Sequence, residues 1–147
     1  MKLSTRSRYG LRLMYELALN YGKGTVFLHE IAERQEMSEK YLSKLVIPLR
    51  AAKLVNSARG AHGGYTLARD PAKITAREIV EALEGDLCPV ECVHNADVCQ
   101  RVAFCPTRDI WTSLERGIHR ILEGITLASI MKDNEGKDGS SPWGYSI

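Results

Sequence analysis

Apolar side chains recur every three or four residues near the start of the chain, which is the spacing of an amphipathic helix. A first helix is predicted over residues 7–20, and Gly22 and Gly24 follow it. Because glycine is unfavourable inside helices, the helix is expected to end there. The short apolar run at residues 25–28 then predicts a small strand.

The next two helices are short and lie close together in the sequence. One begins near Leu28, and a polar break at residues 35–38 ends it. Ser38 is a favourable N-cap for the helix that follows, which is predicted from Glu39 to Ile47. Pro48 removes a backbone donor, so this helix is expected to kink or restart there. Two short helices joined by a tight turn predict a helix-turn-helix.

Two β-like runs come next, at residues 54–57 and 64–67. The loop between them contains a basic residue, a histidine and two glycines, namely Arg59, Gly60, His62 and Gly63. Taken alone, a glycine-rich hairpin is a common turn. Placed directly after a helix-turn-helix, it predicts the basic wing of a winged helix.

The rest of the chain is predicted to be helical again. Thr75 and Glu78 form a capping box that opens one helix, and Gly85 closes it. A long helix begins at Pro106, and its apolar stripe consists of Ile110, Trp111, Leu114, Ile118, Ile121, Leu122 and Ile125. Two placements are open for this helix: the core of one chain, or an interface with the same helix of a second chain. A short apolar turn or helix follows, and residues 132–147 predict a disordered tail.

Charge is unevenly distributed although the net charge of the 147 residues is only +2. Residues 1–70 carry 12 Lys and Arg against 6 Asp and Glu, and residues 71–147 carry 8 against 12. The basic half predicts a polyanion partner, although a solvated charged face has a similar composition. No apolar run reaches the roughly 20 residues of a membrane span. With no secretory leader evident, the protein is expected to be cytoplasmic and without a membrane partner.

All four cysteines lie in one polar loop, between Gly85 and Pro106. They are Cys88, Cys92, Cys99 and Cys105. Thiols this close in sequence converge on one metal centre if the loop folds around it. Irregular, wide spacing with thiolate ligands favours an iron–sulfur cluster, of either the two-iron or the four-iron type.

Three other interpretations of these cysteines remain open. Disulfides require an oxidising compartment, which the N-terminus does not predict. A structural zinc site usually contains pairs of cysteines two residues apart, and this sequence has none. Free buried thiols are common in proteins, but four of four in a polar loop is an unusual distribution for them.

With these residues assembled, the chain resembles the Rrf-type family of bacterial winged-helix repressors, whose iron–sulfur members include the regulators IscR and NsrR. The resemblance covers nearly the whole chain and excludes the final tail. Its strongest motifs are Arg59-Gly60-x-x-Gly63-Gly64-Tyr65-x-Leu67-Ala68-Arg69, Glu91-Cys92-Val93, Cys99 and Cys105-Pro106-Thr107-Arg108-x-x-Trp111. It implies a homodimer with crossing long helices, and cluster ligation by Cys92, Cys99 and Cys105.

The chain departs from the family pattern at the fourth cluster ligand. IscR-like members place a histidine three residues after the last cysteine, where this chain has Arg108. NsrR-like members use an acid near the N-terminus, where this chain has Arg8. Arginine does not ligate iron at ordinary pH. Cys88 is therefore the leading candidate, and the others are His94, Glu91, a solvent molecule or a small thiol.

These observations predict a DNA-binding transcriptional regulator, and a repressor is favoured over an activator. It is expected to bind a palindromic operator in double-stranded DNA as a homodimer. The cluster is expected to control operator affinity in response to iron–sulfur status, redox or nitric oxide. The predicted DNA-binding residues are Lys2, Ser38, Lys40, Tyr41, Ser43, Lys44, Arg59, Gly60 and His62. Ser43 stands where the well-known cluster-sensing member has a glutamate, so the operator sequence of that member is not expected to transfer.

The predicted fold is mainly α with a small β wing. A winged helix-turn-helix domain is predicted at 1–84, a cysteine loop at 85–105, a dimerisation helix with a short C-terminal helix at 106–131, and the tail at 132–147. The four histidines are scattered and no nucleophile–base pair is evident, so no enzymatic activity is expected. Two alternative functions are a cluster-free regulator of the same family with a thiol or zinc switch, and a small iron–sulfur electron carrier.

Overall fold

The computed structural model describes residues 3–61 and 63–135. Its elements are α1 (Thr5–Leu19), α2 (Leu28–Gln35), α3 (Glu39–Ala51), β1 (Val55–Ala58), β2 (Gly64–Leu67), α4 (Ala76–Glu84), α5 (Arg108–Glu123) and α6 (Leu127–Glu135). The two strands pair antiparallel, with Val55 opposite Leu67 and Ala58 opposite Gly64. This mainly helical fold with a small two-stranded sheet confirms the predicted fold class. Within the described ranges, no helix is long and apolar enough to cross a membrane.

The core is formed by the inner faces of five helices, α1, α2, α3, α4 and α6, together with the strands. Its largest fully buried side chains are Leu13, Met14, Leu17, Ile31, Leu42, Leu45, Leu49, Leu54, Ile74, Ile79, Leu83 and Leu127. Full burial of each such side chain stabilises the fold by about 1.5–3 kcal/mol. Leu127 also donates its backbone N–H to the carbonyl of Ile74, 3.0 Å away. The last described helix is thereby attached to the core.

Helix starts follow the capping residues of the sequence. The Ser38 hydroxyl accepts the backbone N–H of Tyr41, and the Thr75 hydroxyl accepts that of Glu78. The Glu78 carboxylate in turn accepts the N–H of Thr75, which completes the capping box. Because these bonds satisfy donors that helix geometry leaves unpaired, the predicted starts of α3 and α4 are confirmed.

A predicted strand before α2 and a predicted restart of α3 at Pro48 are both wrong. The expected strand at residues 25–28 is a single β-bridge between Val26 and Tyr65, and α2 begins at Leu28. Helix α3 does not restart at Pro48 but continues to Ala51. Leu45 and Leu49 lie on the same face and are both buried, so packing holds the helix across the proline.

Helix α5 is not a core helix. Its only buried residue within the described chain is Glu115. The side chains of Ile110 and Ile121 are 59% and 65% exposed. The alternative that α5 packs in the core of one chain is therefore wrong, and four residues of its apolar stripe are exposed, namely Ile110, Trp111, Leu114 and Ile121.

Candidate functional site

The helix-turn-helix consists of α2, α3 and the turn between them. Glu36 makes this turn in the left-handed conformation, with φ of 53°. Ser38, predicted to contact DNA, is exposed and caps α3. In the first turn of α3, the side chains of Glu39 and Lys40 are exposed, as residues at the N-terminus of a recognition helix are.

A network of polar side chains holds the end of α2 on α1. Glu16 is only 5% exposed. Its carboxylate accepts hydrogen bonds from Gln35 at 2.5 Å and from Arg34 at 3.2 Å. Arg12 donates to both the side chain and the backbone carbonyl of Gln35, at 2.8 and 2.7 Å. A buried carboxylate is stable only when paired in this way, so the network fixes the position of the turn.

The outer face of α3 carries most of the predicted DNA-reading side chains. Lys40, Ser43 and Lys44 are exposed. Tyr41 is half-buried, and its ring meets the ring of Tyr9 edge to face, with centroids 5.7 Å apart. Tyr41 therefore helps to fix α3 on α1, whereas the other three side chains are exposed.

The wing is attached to the segment before α2. Tyr65 and Val26 exchange backbone hydrogen bonds of 2.8 and 3.0 Å. Gly64 has φ of 120°, and a Cβ there would lie 2.7 Å from the Val26 carbonyl oxygen. Only glycine fits this close approach.

The tip of the wing projects away from the core. Arg59 and Gly60 are exposed, and Gly60 has φ of 97°. The Gly63 N–H closes the loop by donating to the Gly60 carbonyl at 2.9 Å. His62 and Lys2, which were also predicted to contact DNA, lie outside the described residues.

The cysteine loop connects α4 to α5 through three short turns of 3-10 helix. All four cysteines are free thiols. Cys99 is exposed, and Cys88, Cys92 and Cys105 are half-buried. The Cys105 thiol lies 3.3 Å from the Thr107 hydroxyl, and this hydrogen bond holds the pKa of the thiol below its usual value.

Arg108 has a structural role in this loop. Its guanidinium donates to the backbone carbonyls of Cys92 and Val93, at 3.1 and 3.2 Å. Arg108, which stands where IscR-like members have a histidine, therefore holds the loop backbone at Cys92, the first of the three cysteines that match the family pattern. The sequence indicated only that Arg108 could not ligate iron.

A second group of possible ligands lies where the loop meets α5. The Cys88 thiol, a ring nitrogen of His94 and a carboxylate oxygen of Glu115 lie within 4.8 Å of one another. Among the described residues, no comparable group of three includes Cys92, Cys99 or Cys105. Glu115 lies beside Leu114 in the apolar stripe, and the sequence offered no further signal for it.

Asp86 connects the members of this group. One carboxylate oxygen accepts the backbone N–H of Cys88 at 2.9 Å, and the other lies 3.0 Å from His94 Nδ1. The bond from Cys88 lowers the pKa of Asp86, and the contact with His94 lowers it further. The Asp86 carboxylate in turn raises the pKa of His94.

Comparison with known proteins identifies the family. The family model for Rrf2, described as an iron-dependent transcriptional regulator, matches residues 3–133. The chain belongs to the Rrf2 family. Like its relatives, this Rrf2-family protein is a DNA-binding helix-turn-helix transcriptional regulator, which confirms the family and the general function predicted from the sequence.

Relatives with different names are similar to this chain. Protein rrf2 of Nitratidesulfovibrio vulgaris (strain Hildenborough) is 44% identical over 133 residues, covering 90% of this chain and 89% of that protein. The structure of T. potens IscR has a TM-score of 0.77 and 40% identity, covering 96% of this chain and 93% of that one. CymR of B. subtilis, described as the global cysteine regulator, has a TM-score of 0.76 and 39% identity, with coverages of 90% and 98%. The IscR and CymR structures match this chain equally well, so similarity alone does not identify the signal that it senses.

Proposed function

We propose that this Rrf2-family regulator binds a palindromic operator as a homodimer, and that an iron–sulfur cluster on Cys92, Cys99 and Cys105 controls its affinity. The observation that carries the proposal is the set of free thiols in a loop whose backbone Arg108 anchors. Thiolates are the usual ligands of such clusters. When bound, the cluster would supply a redox-active, iron-containing centre that ties the three cysteines together. Its loss would remove that constraint on the loop.

The surface formed by α3 and the wing supports binding to DNA through both grooves. The exposed Lys40, Ser43 and Lys44 suit a major groove, where lysines neutralise phosphates and short polar groups reach base edges. Arg59 at the exposed wing tip suits a minor groove, whose negative potential is strongest in A·T-rich DNA. A two-fold dimer reads half-sites about 34 Å apart, or a multiple of that distance.

The exposed stripe on α5 supports the homodimer. Ile110, Leu114 and Ile121 are 43–65% exposed in the single chain. Large apolar side chains in a contiguous exposed patch usually mark an interaction surface. Packing two copies of this helix against each other removes the patch from water. It also relates the helix-turn-helix units of the two chains by two-fold symmetry.

The fourth ligand of the proposed cluster is open, because this chain has Arg108 where IscR-like members have a histidine. Cys88 as the fourth ligand stays a prediction, since its thiol also lies close to His94 and Glu115. Glu91, another candidate, is exposed. With three thiolates from the chain, the remaining position is available to a side chain of this loop, to solvent or to a small thiol.

Anaerobic reconstitution tests the cluster. Wild type should bind iron and sulfide in equal amounts and show the visible absorption of an iron–sulfur cluster. Serine variants of Cys92, Cys99 and Cys105 should each lose both. Operator sequences are then selected from random DNA with the reconstituted and the apo protein, and their affinities are compared. If the protein is colourless and contains no sulfide after reconstitution, the proposed cluster is wrong. That result would not affect the conclusion that the protein binds DNA.

The wing is tested with Arg59→Ala on the selected operator. We expect weaker binding, by about ten-fold if one phosphate or minor-groove contact worth about 1–2 kcal/mol is lost. Lys132→Ala removes the same charge from the exposed side of α6 and serves as the control. Equal losses in the two variants would mean that net charge, and not the wing, determines affinity.

A cluster-free thiol switch is the second candidate function. The exposed thiol of Cys99 favours it, because an accessible cysteine reacts with oxidants readily. The similarity to CymR is compatible with this reading. The two candidates differ in one measurement: a thiol switch responds to oxidation in protein that contains no iron, and Cys99→Ser removes the response.

A further inference from the structure

Three side chains with different donor atoms meet beside the cysteine loop. They are Cys88, His94 and Glu115, whose potential ligand atoms all lie within 4.8 Å of one another. Cys88 and His94 come from the loop, whereas Glu115 comes from the middle of α5. A sulfur, a nitrogen and an oxygen donor from two separate elements therefore face one point.

Glu115 is the least expected member of this group. It is only 7% exposed. One carboxylate oxygen, Oε1, contacts His94 Nε2, which is its one polar partner among the described residues. A buried carboxylate is stable only when it is paired with a positive charge or hydrogen-bonded. A protonated His94 supplies that pairing, and a metal ion bound to both Nε2 and Oε1 would supply it while the imidazole is neutral.

His94 is oriented in the way that metal-binding histidines usually are. Its Nδ1 lies 3.0 Å from the Asp86 carboxylate, while Nε2 faces Glu115. A histidine that donates Nδ1–H to a carboxylate keeps the lone pair on Nε2 for a metal. Asp86 also holds the Cys88 backbone, so one carboxylate positions two members of the group.

We propose that Cys88, His94 and Glu115 bind a single divalent transition metal, separate from the cluster. A thiolate with an imidazole and a carboxylate suits Zn²⁺ or Fe²⁺, whereas Mg²⁺ and Ca²⁺ prefer oxygen donors alone. Three protein ligands leave one position for solvent. The bound metal fastens the start of the cysteine loop to α5, and Cys88 serves this site instead of the cluster.

The site is tested in a full-length chain that cannot hold the cluster, with Cys92, Cys99 and Cys105 all changed to serine. Co²⁺ is the probe, because thiolate ligation gives it a charge-transfer band. We expect one Co²⁺ per chain with that band, and its displacement by Zn²⁺. Adding Cys88→Ser should abolish the band, and His94→Gln or Glu115→Gln should weaken binding at least ten-fold.

Asp86→Asn separates a metal site from a simple ion pair. Loss of an orienting carboxylate typically weakens metal binding by about 10–100-fold. Asp97→Asn changes an exposed acid in the same loop and should have no effect. If the triple-serine chain keeps the helical circular dichroism of wild type but binds no Co²⁺, or binds it equally well without Cys88, the proposal is wrong.

The native chain provides a second measurement in case the triple variant does not fold. Native mass spectrometry of cluster-loaded protein supplied with Zn²⁺ should show one additional zinc, which His94→Gln removes while the cluster stays. Loss of the cluster itself in Cys88→Ser would instead make Cys88 its fourth ligand and overturn the separate site. Neither result affects the assignment of Cys92, Cys99 and Cys105, which the single-serine variants decide.

Discussion

Replacing Ser7 by alanine tests the contact that joins the start of α1 to the end of α4. Ser7 is 2% exposed and donates its hydroxyl hydrogen to the Glu84 carboxylate at 2.5 Å. The Ser4 hydroxyl and backbone N–H donate to the same oxygen, at 2.6 and 2.9 Å. Ser7→Ala therefore removes one of three bonds and leaves the carboxylate partly satisfied.

The expected cost follows from these contacts. A hydrogen bond to a charged group contributes about 1.5–3 kcal/mol. Alanine regains about 0.5 kcal/mol through its higher helix propensity. We expect Ser7→Ala to lower the free energy of unfolding by about 1–2.5 kcal/mol at pH 7. Ser43→Ala, at an exposed position of α3, is the control for helix propensity.

The effect should depend on pH. Hydrogen bonds from Ser4 and Ser7 hold the pKa of Glu84 below its usual value. A carboxyl group with a lowered folded-state pKa stabilises the fold above its unfolded pKa, about 4.3, and this stabilisation is lost as pH falls through the folded-state pKa. The difference between wild type and Ser7→Ala should therefore shrink under acid conditions.

Urea unfolding at pH 7 and at successively lower pH measures this difference. Protein concentration is held constant because self-association adds its own stabilisation. In a Glu84→Gln background the cost of Ser7→Ala should fall, since the charge that strengthens the bond is gone. An equal cost of Ser7→Ala at every pH and in both backgrounds would refute the assignment of the stabilisation to ionised Glu84.

Three further substitutions test the packing of α1 and of the loop. Gly10→Ala places a Cβ 2.1 Å from Leu83 Cδ1, so overpacking of about 1–3 kcal/mol should exceed the helix-propensity gain in urea unfolding, and Leu83→Ala should remove this penalty. Glu16→Gln removes the buried charge that pairs with Arg34 at 3.2 Å, and urea unfolding should show a cost of about 1–3 kcal/mol. Arg108→Gln should raise amide hydrogen exchange in residues 86–107 without changing helix content; unchanged exchange would remove Arg108 as the anchor.

Features that depend on neighbours in sequence could be predicted. Ser38 and the Thr75–Glu78 pair bond to backbone groups within three residues, so their chemistry is visible in the sequence itself. The hairpin could be predicted because glycines punctuate two short β-like runs. The restart expected at Pro48 does not occur because tertiary packing of Leu45 and Leu49 outweighs the local preference of proline.

Features that join distant segments could not be predicted. Periodicity indicated that the stripe on α5 avoids water, but it could not indicate whether the same chain or a second one covers it. Glu115 reaches His94 and Cys88 only because the loop folds back onto α5. No local preference encodes that return.

Helix α1 connects the beginning of the cysteine loop to the DNA-reading surface. Glu84, the last residue of α4, is bonded to Ser7 near one end of this 15-residue helix. Near its other end, Glu16 is bonded to Gln35, the last residue of α2. Hydrogen bonds at both ends restrict α1 to one position, so α4, α1 and α2 form a single frame. A signal in the loop then cannot easily reshape α3 within one chain. In the proposed homodimer, we expect such a signal to move the two helix-turn-helix units relative to each other, which would change their spacing on the operator.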